Sequence, residues 1–442
     1  MKNVKDFGAV GDGIANDTAA IQRAVDSGGV ALLPPGTYRS GTIHLRSHGG
    51  LHLECGSTLL ASRDRADYNA DDYCPQNGVF TQETVTGAHL LSAVGVEDVS
   101  LTGGGAIDGD CGFWNRRFSD TTPAYLPEPG RPGQMVFLCE CRGLVVDGLQ
   151  LRNAPYWHLF LHGCENARLS RLRIDGEKRQ ATNDGIDIDC CRDVVVSGCI
   201  IRTGDDAIAV RANGERLTTA RPCENIVVTG CILSSYNDNA IRVGVGDGLI
   251  RRCLFSNLVI EDTRTAICLV ARYGAGSTGV DIEDVSFRHL QVQAHRLANI
   301  KLANFDTDPP LATPRHIRRV SLADISADVR CTFNIIGIDG GEIADIRVRD
   351  LDMRCGGVGP YPGHVRGEWW GRGSTDCAFR VYKARDVVFD GVRLHWTTDH
   401  PGWKHAMSIA DSTGVECVAC HLPKGIANID STMPDKLPRL DG

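Results

Sequence analysis

The chain has 442 residues, of which 50 are glycine and 18 cysteine, with 42% hydrophobic and 23% charged residues and a formal net charge of −8. The acidic balance argues against a nucleic-acid partner, which calls for a basic face, and no apolar run approaches the ~18 residues of a membrane-spanning helix. Glycine at about 11% exceeds the ~7% of average proteins, so the glycines and the many cysteines both need a cause.

The N-terminus reads MKNVKDFGAVGDG and shows neither an apolar h-region nor a small-residue cleavage site, so a cytoplasmic location is expected, with a trimmed secreted form as the alternative. Cytosolic thiols stay reduced. The cysteines are therefore read as small buried side chains. Cys139-x-Cys141 and Cys190-Cys191 lack paired zinc-ligand spacing, and no metal or cofactor is expected. Next in the chain, NDTAAIQRAVDSGG predicts a helix, with Asn16 or Asp17 as N-cap, an apolar face of Ile21, Ala24 and Val25, and a stop at Gly28-Gly29. Solenoids need a terminal cap, and this helix is the natural one.

The rest of the chain repeats. Segments starting at Cys141 (CRGLVVDGLQL), Cys164 (CENARLSRLRI), Cys191 (CRDVVVSGCII) and Cys223 (CENIVVTGCIL) follow at intervals of 23, 27 and 32 residues. Weaker copies start at Val96, Ile250, Ile282, Ile317, Ile343 and Ala384. Alternation of period two over four to six residues predicts short strands. No helical pattern lies between them, which excludes a βαβ sheet. Short strands at this period, joined by Gly, Asn and Asp, predict a parallel β-helix. It is read as a single domain over 1–442, with 1–60 as cap and first strands and 90–425 as the coils. Glycine supplies the turns, and Cys164, Cys191 and Cys223, with Cys199 and Cys231, are expected as interior rungs. Segments 64–82, 114–133 and 356–376 lack periodicity and are expected as loops on the solenoid.

Two acidic segments stand out, Asn183-Asp184-Gly185-Ile186-Asp187 and Gly204-Asp205-Asp206. Asp184 and Asp205 are 21 residues apart, close to one coil, and neighbouring coils stack at ~4.8 Å. Like charges at that spacing raise at least one carboxyl pKa. A raised carboxyl is a general acid and an ionised neighbour can activate water.

These residues resemble those of the polygalacturonases, glycoside hydrolase family 28, a family of right-handed parallel β-helices. The start (VKDFGAVGDG from Val4, then the helix and LPPGTY from Leu33) is similar to the family's N-terminal cap, and NAPYWHLF from Asn153 to the segment before its active coil. Asp184 matches the family's Asn-Thr-Asp-Gly-x-Asp, and Asp205-Asp206 its Gly-Asp-Asp. The resemblance implies inverting hydrolysis, with Asp205 as the acid, Asp184 and Asp206 holding and deprotonating water, and acid and base ~6.5–9.5 Å apart. Two motifs depart from the family. Asn239 stands where the histidine of Gly-His-Gly belongs, and Cys268-Leu269-Val270 stands where Arg-x-Lys clamps a uronate carboxylate.

Aligning the apolar pairs Ile186/Ile188, Ile208/Val210, Ile241/Val243 and Ile267/Leu269 places Asp184, Asp206, Asn239 and Thr265 at one level, and Asn183, Asp205, Asp238 and Arg264 at the level one residue before. Outward positions then read Asp187, Ala209, Arg242 and Cys268, with Lys301 next if Ile300/Leu302 is the following pair. Arg242, Arg211, Arg264 and Arg272 either offer new cations to an anionic substrate group or bridge to aspartates. Trp114, Trp157, Tyr236, Tyr273, Trp369, Trp370 and Trp403 either stack on sugar or pack at loop bases, and Trp369-Trp370 is the pair assigned to sugar. His162 and His364, the possible substitutes for the lost histidine, are expected at the surface.

The expectation is a glycosidase acting by inversion on an oligosaccharide, exo rather than endo, and not on ordinary polygalacturonate. The rivals are a uronic-acid lyase or epimerase with Ca²⁺ on the three aspartates, and a non-catalytic carbohydrate-binding solenoid. No nucleic-acid or membrane partner is expected, and the oligomeric state is open.

Overall fold

The computed structural model describes residues 1–78, 85–117, 125–180, 182–274, 276–304, 308–356, 376–398 and 402–429. The fold is a right-handed parallel β-helix. Its chain forms two compact units: Met1–Ala209 with Asn213–Arg221 and Ile226–Cys231, and Val210–Ala212 with Pro222–Asn225 and Ile232–Gly442. Among the described residues no helix is long and apolar enough to cross a membrane.

In the first unit the predicted helix runs Thr18–Asp26 and buries Ala20, Ile21, Ala24 and Val25. Both cap candidates act, in different ways. Asn16 Oδ1 accepts from the Thr18 backbone N–H at 3.0 Å, while the Asp17 carboxylate turns back to the N–H groups of Val10 (2.7 Å) and Gly11 (3.0 Å). The coils follow with three strands each. Val136–Cys139, Arg142–Asp147 and Gln150–Arg152 pair in parallel with Leu159–His162, Glu165–Ser170 and Arg173–Asp175. These pair in turn with Ile186–Asp189, Arg192–Ser197 and Ile200–Thr203. Like residues stack inside: Val136 on Leu159 on Ile186, and Leu138 on Leu161 on Ile188. Burying each such side chain contributes ~1.5–3 kcal/mol.

The predicted thiol rungs are confirmed: Cys164, Cys191, Cys199 and Cys231 are all fully or almost fully buried. Three of the thiols donate to a carbonyl of the preceding coil, Cys141 to Ala93 (3.4 Å), Cys164 to Leu138 (3.2 Å) and Cys191 to Leu161 (3.4 Å). Burial pushes the Cys164 thiol well above its ordinary pKa, so it is inert.

The turns are made by Asn and Asp as well as by glycine, as the joints in the sequence predict. One corner of each coil is a single left-handed residue, and that phase holds Asp98, Gly143, Asn166 and Asp193 (φ 52, 73, 55 and 58°). The next corner holds Gly148, Arg171, Gly198 and Gly230 (φ 78, 54, 63 and 65°). Asn and Asp tolerate this conformation because their short polar side chains bond locally, so they share the corner with glycine.

In the second unit Leu249–Arg272, Asp281–Ala303, Arg315–Val329 and Gly341–Cys355 are long, bent strands rather than the short ones predicted. Left-handed corners at Arg252, Asn257 and Asp262 turn the first; its ladder keeps register through the first two and shifts between Ile260 and Thr263. The weaker repeat copies stack in register, Ile250 on Ile282 on Ile317 on Ile343, and Phe255 stacks on Phe287 with centroids 4.9 Å apart. Of the predicted loops, 114–133 contains a short antiparallel pair, Asn115–Arg117 with Tyr125–Pro127.

Candidate active site

The two acidic segments meet in the first unit. The N–H groups of Gly185 and Ile186 donate to the carbonyls of Asp206 (2.9 Å) and Ala207 (3.0 Å), which places the segments on neighbouring coils. Asp184, Asp205 and Asp206 each present a carboxyl oxygen, and these oxygens all lie within 4.8 Å of one another. Asp184 and Asp206 are buried at 2% exposure while Asp205 is half-buried. Asp205 and Asp206 are neighbours in the chain, and the stacking of coils brings Asp184 to them. Carboxylates this close repel one another when ionised. Their oxygens are close enough to share a proton or a cation.

Close backbone packing holds the trio. His158 takes the Asp184 carbonyl with both its backbone N–H (2.8 Å) and its Nδ1 (2.9 Å), and burial pushes its pKa down to about 4, so the ring is neutral. Asp206 N–H donates to Asp205 Oδ1 at 2.9 Å and Thr203 Oγ1 to the Asp205 carbonyl at 2.7 Å. Asn183 Oδ1 accepts from both Gly204 N–H (2.8 Å) and Asp205 N–H (3.1 Å). A Cβ on Gly204 would lie 2.1 Å from the Gln180 carbonyl oxygen and 2.9 Å from Asn183 Oδ1, so only glycine allows this approach. Arg131, at 1% exposure, donates to Thr182 Oγ1 (3.0 Å) and the Pro155 carbonyl (3.1 Å), with its guanidinium 5.0 Å from the Tyr156 ring centre. Sequence reasoning passed over Asn183, His158 and Arg131. A signal existed for the first: the family's Asn-Thr-Asp reads Thr182-Asn183-Asp184 here.

Asp187 lies two positions along from Gly185 on the strand Ile186–Asp189, level with Phe160, and is fully buried. Its outward face is covered, because Phe160 and Phe137 of the same column pack under Tyr156, Trp157 and Cys74. His162 is likewise not a surface residue. It is fully buried, with Nε2 2.8 Å from the Asn213 carbonyl and 3.3 Å from Gln76 Nε2, while Gln76 also donates to Asp189 at 2.8 Å. Loop residues supply these partners, so the strand pattern could not announce them. His364, Trp369 and Trp370 lie outside the described residues.

In the second unit Asn239 pairs with Thr265, Arg242 with Cys268 and Val243 with Leu269, as the stacking predicts. Asn299, not Lys301, is level with Cys268, and Lys301 falls one step on beside Val270. Both readings of the arginines were open, and two of the four meet an aspartate. Arg264 donates to Asp238 at 2.5 Å and Arg242 lies 3.8 Å from the same carboxylate oxygen. Arg242 also covers the Tyr273 ring at 4.9 Å. Arg272 donates to the carbonyls of Pro309 and Pro310. Arg211, Arg242, Arg264 and Arg272 are all buried. Of the other aromatics, Trp114, Trp157, Tyr273 and Trp403 are buried and Tyr236 half-buried. Trp157 stacks on Tyr156 with centroids 5.0 Å apart and Trp403 lies 5.1 Å from Trp396, which is packing at loop bases.

Residues 76–235 match the model of the glycosyl hydrolases family 28, and residues 1–49 that described as rhamnogalacturonase A/epimerase, pectate lyase-like. A probable polygalacturonase of Vitis vinifera is 30% identical over 226 residues, 49% of this chain and 45% of the relative. The chain thus spans about half the length of the first curated relatives it matches. Among solved structures, a family 28 exopolygalacturonase of Yersinia enterocolitica superposes with a TM-score of 0.68 at 19% identity, over 93% of this chain and 77% of that one. An exopolygalacturonase of Thermotoga maritima gives 0.65 at 20% identity, over 88% and 91%. At such identities these likenesses speak for the fold, and the sequence matches speak for the domain. Residues 76–235 are thus similar to the glycosyl hydrolases family 28, polygalacturonases among them, in a chain folded as a right-handed parallel β-helix.

Proposed function

We propose that this protein hydrolyses a glycosidic bond in an oligosaccharide, with acid and base drawn from Asp184, Asp205 and Asp206. The observation that carries the reading is the trio of carboxyl oxygens within 4.8 Å of one another on adjacent coils. Asp205 is the more exposed member and is assigned as the acid that protonates the glycosidic oxygen. Asp184 and Asp206 hold the attacking water and take its proton. A water that donates to two carboxylates lies ~2.7–2.8 Å from each, so it can bridge oxygens at the observed spacing. Displacement by that water inverts the anomeric centre.

We further propose exo action on a substrate other than ordinary polygalacturonate. Exopolygalacturonases among the structural relatives support the first part. The second is supported by Cys268-Leu269-Val270 in place of a cationic clamp and by the engagement of Arg264 and Arg242 with Asp238.

The test is NMR of the products from a panel of pectic and neutral oligosaccharides. Inverted sugar released one unit at a time is expected. A retained anomer sinks the mechanism, and no hydrolysis of any member sinks the function. Asp205→Asn is expected to abolish turnover with the fold intact, and full activity removes Asp205 from its role.

A second reading, a lyase or epimerase with a divalent cation on the trio, is favoured by the same tight spacing. Cation ligands at 2.3–2.6 Å lie within ~5 Å of one another. Loss of activity with chelator points to this reading; new absorbance from a carbon–carbon double bond then identifies a lyase, and a changed C5 configuration without cleavage an epimerase.

A further inference from the structure

We infer that Asn183 is a positioning residue for the acid trio, a brace that fixes Asp205 against Asp184 from within. The inference rests on the reading of the trio as the reacting groups.

Asn183 is fully buried and immediately precedes Asp184. Its amide is used on both sides. Oδ1 accepts from Gly204 N–H at 2.8 Å and Asp205 N–H at 3.1 Å, and Nδ2 donates to the Glu177 carbonyl at 2.9 Å. Two donors face the oxygen and an acceptor faces the nitrogen, so the partners fix the orientation of the amide. Two glycines make its slot. A Cβ on Gly204 would lie 2.9 Å from Oδ1, and one on Gly176 would lie 2.6 Å from Nδ2.

Asp206 N–H bonds to the Asp205 side chain at 2.9 Å, so that side chain follows the backbone that Asn183 holds. On the other coil Asp184 is held through its carbonyl by His158. The Asn183 amide therefore adds a side-chain tie to the backbone bonds that join the two acidic segments. An alanine leaves two buried N–H groups without this acceptor. An aspartate keeps the acceptor but loses the donor and adds a fourth carboxylate.

The test uses Asn183→Ala and Asn183→Asp with two readouts. The first is kcat and KM on an oligosaccharide from the panel that the unaltered protein hydrolyses. The second is a pH titration of the Asp205 carboxyl carbon by ¹³C NMR, assigned with Asp205→Asn, which needs no substrate. For Asn183→Ala the expectation is a kcat lower by ~10²-fold, since a shift of about 1 Å costs that much, with KM within about threefold. Its highest carboxyl titration step should move down, because the released Asp205 relaxes away from its like-charged neighbours. For Asn183→Asp that step should move up. Unchanged kcat and titration in Asn183→Ala overturn the inference. Should that variant not fold, an unchanged titration in Asn183→Asp overturns it instead. If the unaltered protein hydrolyses nothing, the proposed function fails while the titration still decides the brace.

Discussion

Removing Asp238 tests what the buried arginines are for. Two guanidinium groups share its carboxylate, Arg264 at 2.5 Å and Arg242 at 3.8 Å, with side-chain exposures of 7% and 4% against 5% for Asp238. At ~4 Å between charges and an effective dielectric of ~20, each attraction is on the order of 4 kcal/mol. Breaking a buried pair by deleting one partner costs ~3–5 kcal/mol, because the other charge is left behind. For a folding unit of ~200 residues this corresponds to a melting temperature lower by roughly 10 °C. Asp238→Ala should show that loss in calorimetry at pH 7. It should persist in 0.5 M NaCl, since buried pairs are poorly screened. If Asp238 is the internal counter-ion, the cavity left by alanine should accept a small carboxylate. Acetate at about 100 times its Kd would then return ~2.7 kcal/mol to Asp238→Ala and nothing to the unaltered protein. A melting temperature within 1 °C of the parent, or equal stabilisation of both proteins by acetate, would refute the assignment.

Gly204→Ala places a Cβ 2.1 Å from the Gln180 carbonyl oxygen. Real contacts of this kind do not fall below 3.0 Å, so the turn must move by about 0.9 Å. A fall in kcat of ~10²-fold is expected on that displacement, and steady-state kinetics with a thermal melt separate it from loss of fold. Burial pushes His89 down to about 4, as it does His158. The unfolded chain binds more protons between pH ~6.5 and 4, so stability is full above ~6.5 and falls as pH drops through that window. Melting temperatures in His89→Gln should fall less steeply there, and an unaltered slope would contradict the burial argument. The Asp147 carboxyl, held below its ordinary value by Arg171, acts in a separate window: its contribution is present above pH ~4 and is lost below.

Coil stacking was legible from the chain because it is periodic. The apolar alternation that puts Ile186 and Ile188 inside also sets their level with Leu159 and Leu161, and one-coil spacing alone brought Asp184 to Asp205 and Asp206. What the pattern could not show is what covers the outer face. His162 and Asp187 occupy outward positions that would be exposed on a bare sheet, yet both are fully buried. Around His162 the partners Gln76 and Asn213 come from loops 86 and 51 residues away in the chain. Loop contacts have no period, so nothing in the strand repeat encodes them. The arginines fall between these cases. Arg264 meets Asp238 because the two are one coil apart, 26 residues in the chain, which the alignment of levels already placed side by side. Whether that carboxylate or an outside one would hold the guanidinium depends on burial, and burial depends on loops.

Asn183 shows where this division runs. Its bonds to Gly204 and Asp205 span 21 and 22 residues, one coil, and the same alignment sets Asn183 level with Asp205. The register was therefore sufficient to find the contact, while its burial, sealed by Glu177 and Gly176 on the adjoining loop, was not. Residues that join one coil to the next can be sought at every level where a polar side chain on one coil faces a turn N–H on its neighbour. At the trio that search selects Asn183, because its Oδ1 reaches the N–H groups of Gly204 and Asp205 from the coil that carries Asp184.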